Sequence, residues 1–313
     1  MLVVIALGGN ALLRRGQPLD IGAQRANVMV AASVLAEVAR DHQLVITHGN
    51  GPQVGLLALQ NAALSEVAPY PLDVIGAETE GMIGYLLEQE LGRYLPAGQL
   101  ATLLTQVVVD PNDPALLHPV KAVGPVYDQA EAAALAHKYG WRVVRDGEYW
   151  RRVVPSPEPI SLLEIASIRI LVKAGITLTC VGGGGIPVVR CTNGAAGVRG
   201  IEAVVDKDLA AGLLAAELNA DALIMLTDVD AARRDWGTPA ATRIGAVSPH
   251  ELRRLEFAPG SMGPKVKAAC RFVESGGSFA AIGALDDAVD LLNRRAGTIV
   301  STDGSDTVST RPR

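Results

Sequence analysis

Lysine is scarce in this chain: six of its 28 basic residues are lysine (Lys121, Lys138, Lys173, Lys207, Lys265 and Lys267), and the rest are arginine. Where the guanidinium fork is the default cation, lysine is expected at sites that need a compact point charge. Two lysines stand out by position. Lys207 lies between Asp206 and Asp208 at the start of a helical pattern running to Leu218, and Lys265 follows Pro264 in the first turn of another, ending near Gly276. A cation at a helix N-terminus opposes the helix dipole and costs about 0.3–1 kcal/mol. The placement makes sense if an anion fills the gap between the two lysines. Lys138, Lys173 and Lys267 read as solvated surface residues.

Glycines arrive in a matching pattern. Three apolar runs end in them: Val3 to Leu7 before Gly8-Gly9-Asn10, Leu44 to Thr47 before His48-Gly49-Asn50-Gly51, and Thr177 to Val181 before Gly182-Gly183-Gly184-Gly185. Each run is too short for a convincing helix and reads as a buried strand of a parallel sheet, with a loop whose backbone approaches a ligand closely. Loops at the carboxyl ends of parallel strands are where such sheets bind ligands, and their N–H groups suit anionic oxygens. The two common glycine signatures fail here. In Gly49 to Gly55 the third glycine comes one residue late for a dinucleotide loop, and no glycine is followed by Lys and Ser or Thr. What remains is glycine loops, two lysines and the acids Asp206, Asp208 and Asp228. That set suits phosphoryl transfer, which needs charge neutralisation and in-line positioning more than a nucleophilic side chain.

The surrounding elements follow an α/β order. Val28, Ala31, Ala32, Leu35 and Val38 form one helical stripe between the first two strands, a parallel β-α-β unit. Helices are predicted over 55–64 and 76–94, the second with apolar residues on more than one face (Met82, Ile83, Tyr85, Leu86, Leu87), as in a helix shared between core and subunit interface. Residues 102–109 read as one strand. From Asp110 to Pro159 prolines multiply, and 141–144 and 149–154 flank Arg145-Asp146-Gly147-Glu148 like a hairpin, which points to a protruding lid. Ser161 and Glu164 read as a capping box for a helix closed at Gly175. Ala222 to Leu226 is a strand leading to Thr227-Asp228-Val229-Asp230, Ser248-Pro249-His250-Glu251 a helix start, and 279–282 and 297–301 late strands.

Composition narrows the class. With 313 residues, 49% hydrophobic and 19% charged, and a mean hydropathy of +0.25, the chain is long and apolar enough for a large core. No apolar stretch approaches the ~18 residues of a membrane span, and no basic leader precedes the first strand pattern. A net charge of −5 and a pI near 5.6 argue against a nucleic-acid surface. Cys180, Cys191 and Cys270 lack metal-ligand spacing, and an odd number of thiols fits a reducing cytoplasm. No protein-built metal cage is expected.

Leu7-Gly8-Gly9-Asn10-Ala11 and His48-Gly49-Asn50-Gly51-Pro52-Gln53-Val54-Gly55 resemble the amino-acid kinase superfamily, and within it the carbamate kinase family. The likeness continues through Thr79-Glu80-Gly81, Asn112-Asp113-Pro114, Gly182 to Pro187, Asp206-Lys207-Asp208 and Ala258-Pro259-Gly260-Ser261-Met262, from about residue 2 to Ser301. It implies a three-layer α/β/α sandwich with a mainly parallel central sheet. Residues 1–175 would form an N-terminal lobe for carbamate or carbamoyl phosphate, with a protruding lid at about 115–158; 176–302 would form a nucleotide lobe and 303–313 a polar tail. It further implies reversible phosphoryl transfer between ATP and carbamate, Mg²⁺ carried by the nucleotide, and a homodimer. Carried over by position, Gly8, Gly9, Asn10, Asn50 and Gly51 would hold the carbamate and the transferred group. Lys207 would neutralise that group, Asp208 orient the lysines, Lys265 hold the terminal phosphates, and Lys121 act from the lid. Gly182, Gly183, Gly184, Gly185, Thr227 and Asp228 would border the nucleotide. Two segments depart from the family pattern: Thr227 to Asp230 places an acid where a small residue is usual, and Ala231 to Trp236 differs on the adenine side. A related kinase making an acyl phosphate from an amino acid, and a sensor that binds without catalysis, are the competing readings.

Overall fold

A computed structural model of the chain describes every residue except 14, 15, 19, 64–67, 192–196, 259 and 305–313, and all side chains of the described residues except that of Asn10. The Asn10 side chain, Pro259 and most of the polar tail therefore lie outside the described residues.

Strand β1 (Leu2–Leu7) sets the architecture through its two-residue period. Val3, Ile5 and Leu7 join one core cluster, Val4 and Ala6 the other, and all five are fully buried. A strand apolar on both faces needs a helical layer on each side. A single turn, α1 (Gly9–Leu12), precedes α2 (Ile21–Ala39), whose N-cap Asp20 accepts from the Ala23 N–H at 2.8 Å. The predicted stripe from Val28 to Val38 is buried against the first face. Then come β2 (Gln43–His48), α3 (Gly51–Ala63) and α4 (Leu72–Leu91). On α4, Ile83, Leu86 and Leu87 lie in the core, while Tyr85 is 56% exposed, so only part of the stretch from Met82 to Leu87 is open to a partner.

Residues 102–109 do not form one strand. β3 (Leu100–Leu103) pairs with the main sheet, and β4 (Gln106–Val109) belongs to a second one. The break falls at Thr105, which is fully buried: its N–H donates to Glu80 Oε2 at 3.3 Å, and its hydroxyl accepts from the Val181 N–H at 3.1 Å. The lid comprises β5 (Lys121–Tyr127), α5 (Gln129–Tyr139), β6 (Arg142–Asp146) and β7 (Tyr149–Val154), with the expected hairpin closing at Asp146 opposite Tyr149. Helix α5 leaves no apolar stripe to read, since Ala132 is its one buried residue. β8 (Pro159–Leu162) contains Ser161, so the anticipated capping box at 161–164 does not form. Glu164 instead binds Gln106 through its N–H at 2.8 Å and its side-chain amide at 2.9 Å, ahead of α6 (Ile165–Lys173).

β9 (Thr177–Cys180) runs parallel between β2 and β3, although the sequence boundary at 175 assigns it to the second lobe. β10 (Ile186–Arg190) and β11 (Val198–Gly200) complete the smaller sheet, in the order β11-β10-β4-β8. Next come α7 (Lys207–Glu217), β12 (Ala222–Thr227), a short ribbon of β13 (Arg233–Arg234) and β14 (Thr242–Arg243), then β15 (Ala246–Val247) and α8 (Pro249–Leu252). The Ser248–Glu251 capping box that opens α8 forms in full. α9 (Met262–Glu274), β16 (Phe279–Ala284), α10 (Ala288–Leu292) and β17 (Thr298–Val300) end the fold. The main sheet has eight strands in the order β15-β17-β16-β12-β1-β2-β9-β3, parallel except between β16 and β17. Helices α2, α4 and α10 cover one face, α7 and α9 the other. The expected three-layer sandwich with a projecting lid is the observed architecture.

Candidate active site

The site is built where the central strands end level. Leu7 stands opposite both His48 and Leu226 in the register. The Gly8 N–H donates to Leu226 O at 2.9 Å, and the Gly49 N–H to Leu7 O at 3.0 Å. Two glycine loops thus leave the sheet edge side by side. A Cβ on Gly49 would lie 3.1 Å from Gly9 N and 3.3 Å from Lys207 Cδ. The Lys207 stem consequently runs against the first two loops, and a larger residue at 49 would displace it.

Helix α7 presents the charged cluster. Its N-cap Asp206 accepts from the Asp208 N–H at 2.9 Å and the Leu209 N–H at 3.4 Å, ordinary capping chemistry. Asp206 also pairs with Lys121 of the lid through its other oxygen. Asp208 pairs with Lys207 at 2.5 Å and with Lys265, from the first turn of α9, at 2.8 Å. Three ammoniums and two carboxylates leave one excess positive charge in a mostly buried space. The Lys207 side chain is only 11% exposed, less than its place at a helix start suggests.

Burial and charge act together here. Burial pulls the Lys207 ammonium below its usual range despite Asp208, and the neighbouring Lys265 adds to that. Burial presses on Lys265 too, but Asp208, with Asp206 and Asp228, outweighs it and leaves that ammonium raised. Asp208 is penalised by burial as well, yet its two lysines hold it far below the usual carboxylate range. The pairings are strong enough to keep the carboxylate ionised at neutral pH.

The glycines at 182–185 also play a packing part. All four are buried, following Val181 in the left-handed conformation at φ 55°. A Cβ on Gly182 would fall 2.3 Å from His48 Nε2, and one on Gly183, where φ is 68°, would fall 2.0 Å from Asn50 Nδ2. The loop therefore packs on His48 and Asn50 at the end of β2. Asn50 is buried and donates to Thr79 Oγ1 at 2.8 Å, which ties it to α4. Thr227 ends β12 and Asp228 follows it, with the Thr227 hydroxyl donating to an Asp228 oxygen at 3.1 Å. Asp228 is exposed, and its charge raises Lys265. Asp230 binds Arg233 at 2.9 Å and Arg243 at 3.1 Å, pinning the β13–β14 ribbon.

One buried acid was not singled out by the sequence chemistry. Glu80, on α4, accepts from the Gly182 N–H at 2.7 Å and the Thr105 N–H at 3.3 Å, and burial pushes its carboxyl up to about 8. His48 lies beside it, held down to about 4 by burial. A lone glutamate inside a helical pattern reads as solvated surface. Its sequence signals are its place in the Thr79-Glu80-Gly81 motif of the family resemblance and amid residues that are apolar on more than one face of α4.

Buried lysines sharing one carboxylate, beside backbone-lined loops at a parallel sheet edge, can neutralise and align a phosphoryl group. Comparisons with known proteins agree with that chemistry. The amino acid kinase family model matches residues 1–283. A carbamate kinase of Rhizobium meliloti is 52% identical over 307 residues, covering 98% of this chain and 95% of that protein. One from Haemophilus influenzae is 51% identical over 302 residues, covering 96% and 97%. The structure of a Giardia lamblia carbamate kinase bound to citric acid superposes with a TM-score of 0.89 at 40% identity, covering 96% of this chain and 97% of that one. Sequence match and backbone geometry converge over nearly the whole length, and the chain belongs to the amino acid kinase family, in its carbamate kinase branch.

Proposed function

We propose that the protein is a carbamate kinase, transferring a phosphoryl group reversibly between ATP and carbamate. The observation that carries this reading is the Lys207–Asp208–Lys265 cluster set against the loops at Gly8, Gly9 and Gly49. In the forward direction a carbamate oxygen attacks the γ-phosphorus of MgATP and the bond to the ADP oxygen breaks; the reverse consumes carbamoyl phosphate and MgADP. The attacking oxygen is already anionic, so the step needs no general base, and catalysis rests on positioning and charge neutralisation. Gly8, Gly9, Asn10, Asn50 and Gly51 hold the acyl substrate. Lys207, nearest those loops, follows the transferring group; Lys265 holds the nucleotide's terminal phosphates, flanked by Thr227, Asp228 and the 182–185 loop. Asp208 keeps both ammoniums charged and aimed, and Lys121 closes from the lid. Mg²⁺ enters as part of the nucleotide substrate, because the buried carboxylates of Asp206 and Asp208 are engaged by lysines and cap bonds.

The enzyme works in the cytoplasm as a homodimer joined through the outer side of α4, where Tyr85 and the nearby Leu104 are exposed. Sedimentation of Tyr85→Glu tests the interface: a dimer that persists unchanged removes this surface from the reading. Incubation with carbamoyl phosphate and MgADP tests the activity, with ATP formation as the expected result. Tight nucleotide binding without ATP formation would overturn catalysis in favour of a sensor.

A further inference from the structure

We infer that the backbone contact between Gly55 and Gly124 is a spacer that sets how far Lys121 reaches into the site, making both glycines positioning residues for the reaction. This rests on the reading of Lys121 as an active lid residue. Gly55 lies on α3 and Gly124 on β5. A Cβ on Gly55 would stand 1.8 Å from Gly124 Cα and 2.5 Å from its nitrogen; one on Gly124 would stand 3.1 Å from Gly55 Cα. The helix and the lid strand therefore touch main chain to main chain.

β5 is shaped for that contact. Val123 pairs with Arg152 and Tyr127 with Trp150, so three residues of β5 stand opposite one of β7, a bulge that holds Gly124 against α3 with φ at 76°. Arg151 fixes the bulge by donating to Gly124 O at 2.9 Å. Around it Val54 and Ala58 of α3 pack with Val123 and Val154 of the lid in one small core cluster. Three residues before Gly124, Lys121 delivers its ammonium to Asp206 at the start of α7. At the same end of the helix, one turn before Gly55, α3 begins at Gly51, next to Asn50. The first turn of α3 thus links the substrate loop to the lid, and the two glycines set the gap. Carbon atoms in ordinary contact are about 3.5–4.0 Å apart, so a methyl at position 55 moves β5 away by roughly 2 Å. That is enough to take Lys121 out of hydrogen-bond reach of Asp206, which ends near ~3.2 Å.

The test is steady-state kinetics in the ATP-forming direction on Gly55→Ala, Lys121→Ala and the double variant. Gly55→Ala is expected to lower kcat about as much as Lys121→Ala, to raise KM for carbamoyl phosphate, and to leave KM for MgADP unchanged. Adding Lys121→Ala to it should then cost less than twofold more. Gly124→Ala meets a looser approach but adds the strain of an alanine at φ 76°, so if Gly55→Ala does not fold it carries the test through the same less-than-twofold extra loss on adding Lys121→Ala. Multiplicative losses in the double variant, or wild-type kcat and KM in a folded glycine variant, would overturn the spacer. Wild-type turnover by Lys121→Ala alone would overturn the reading of Lys121, and the spacer with it.

Discussion

Asp208 holds two ammoniums on one carboxylate, and that arrangement separates catalysis from stability at the level of single residues. Lys207→Ala leaves Asp208 paired with Lys265 at 2.8 Å, so the fold is expected to survive. Turnover should fall on the order of 10²–10³-fold, the usual loss when a donor to developing charge is removed. Lys207→Arg should not rescue it, because the Lys207 stem lies against Gly49 with little room for a planar fork. Asp208→Ala does the opposite damage as well: two buried cations lose their counter-charge, and breaking such a pairing typically costs about 3–5 kcal/mol. Urea denaturation of the two variants beside their ATP-forming rates checks the contrast; a Lys207→Ala protein as unstable as Asp208→Ala would refute it. These residues were legible in the sequence because cations at helix starts contradict the helix dipole. Glu80 was not, since nothing in its local pattern separates a buried glutamate from a solvated one.

At the scale of elements, the loop from Gly182 to Gly185 changes meaning most between sequence and structure. Four glycines after a strand suggest backbone N–H groups open to phosphate. The folded chain also uses Gly182 and Gly183 as flat surfaces against His48 and Asn50. Gly183→Ala places a methyl on the Asn50 amide, at a backbone angle that an L-residue tolerates poorly. KM for carbamoyl phosphate is expected to rise about tenfold, equivalent to some 1.4 kcal/mol of lost binding, while KM for MgADP stays within twofold. A rise confined to MgADP would refute the link from Gly183 through Asn50 to the acyl substrate. The strands and helix faces that depend on local period were readable: β1, β2 and the α2 stripe emerge as expected. The division at Thr105 was not, because a buried hydroxyl bonded to Val181 is a tertiary fact. Nor was α5, where Asp128 and Gly140 mark the ends but too little apolar surface lies between them.

For the whole molecule, Glu80 and His48 make stability depend on pH in two directions. His48 is held down to about 4, against an ordinary value of 6.5. Between those values the unfolded chain binds its proton more readily, so stability is lost as pH falls below about 6.5. Glu80 is pushed up to about 8, against an ordinary 4.5. Above about 4.5 the unfolded chain gives up that proton while the folded one keeps it, so stability falls as pH rises until about 8. From about 4.5 to 6.5 the two slopes oppose each other. From about 6.5 to 8 only Glu80 acts, with a limiting slope of about 1.4 kcal/mol per pH unit. Glu80→Gln keeps the shape and an acceptor for the Gly182 N–H but has no proton to lose. Urea unfolding at pH 6.5, 7.25 and 8 should therefore show declining stability in the parent protein and a flatter profile in the variant. Parallel profiles would mean that Glu80 is already ionised at neutral pH, its charge stabilised by the Gly182 and Thr105 N–H groups. The carboxyl joins α4 to the glycine loop and to the break between the two sheets, so the titration reports on cohesion across the molecule.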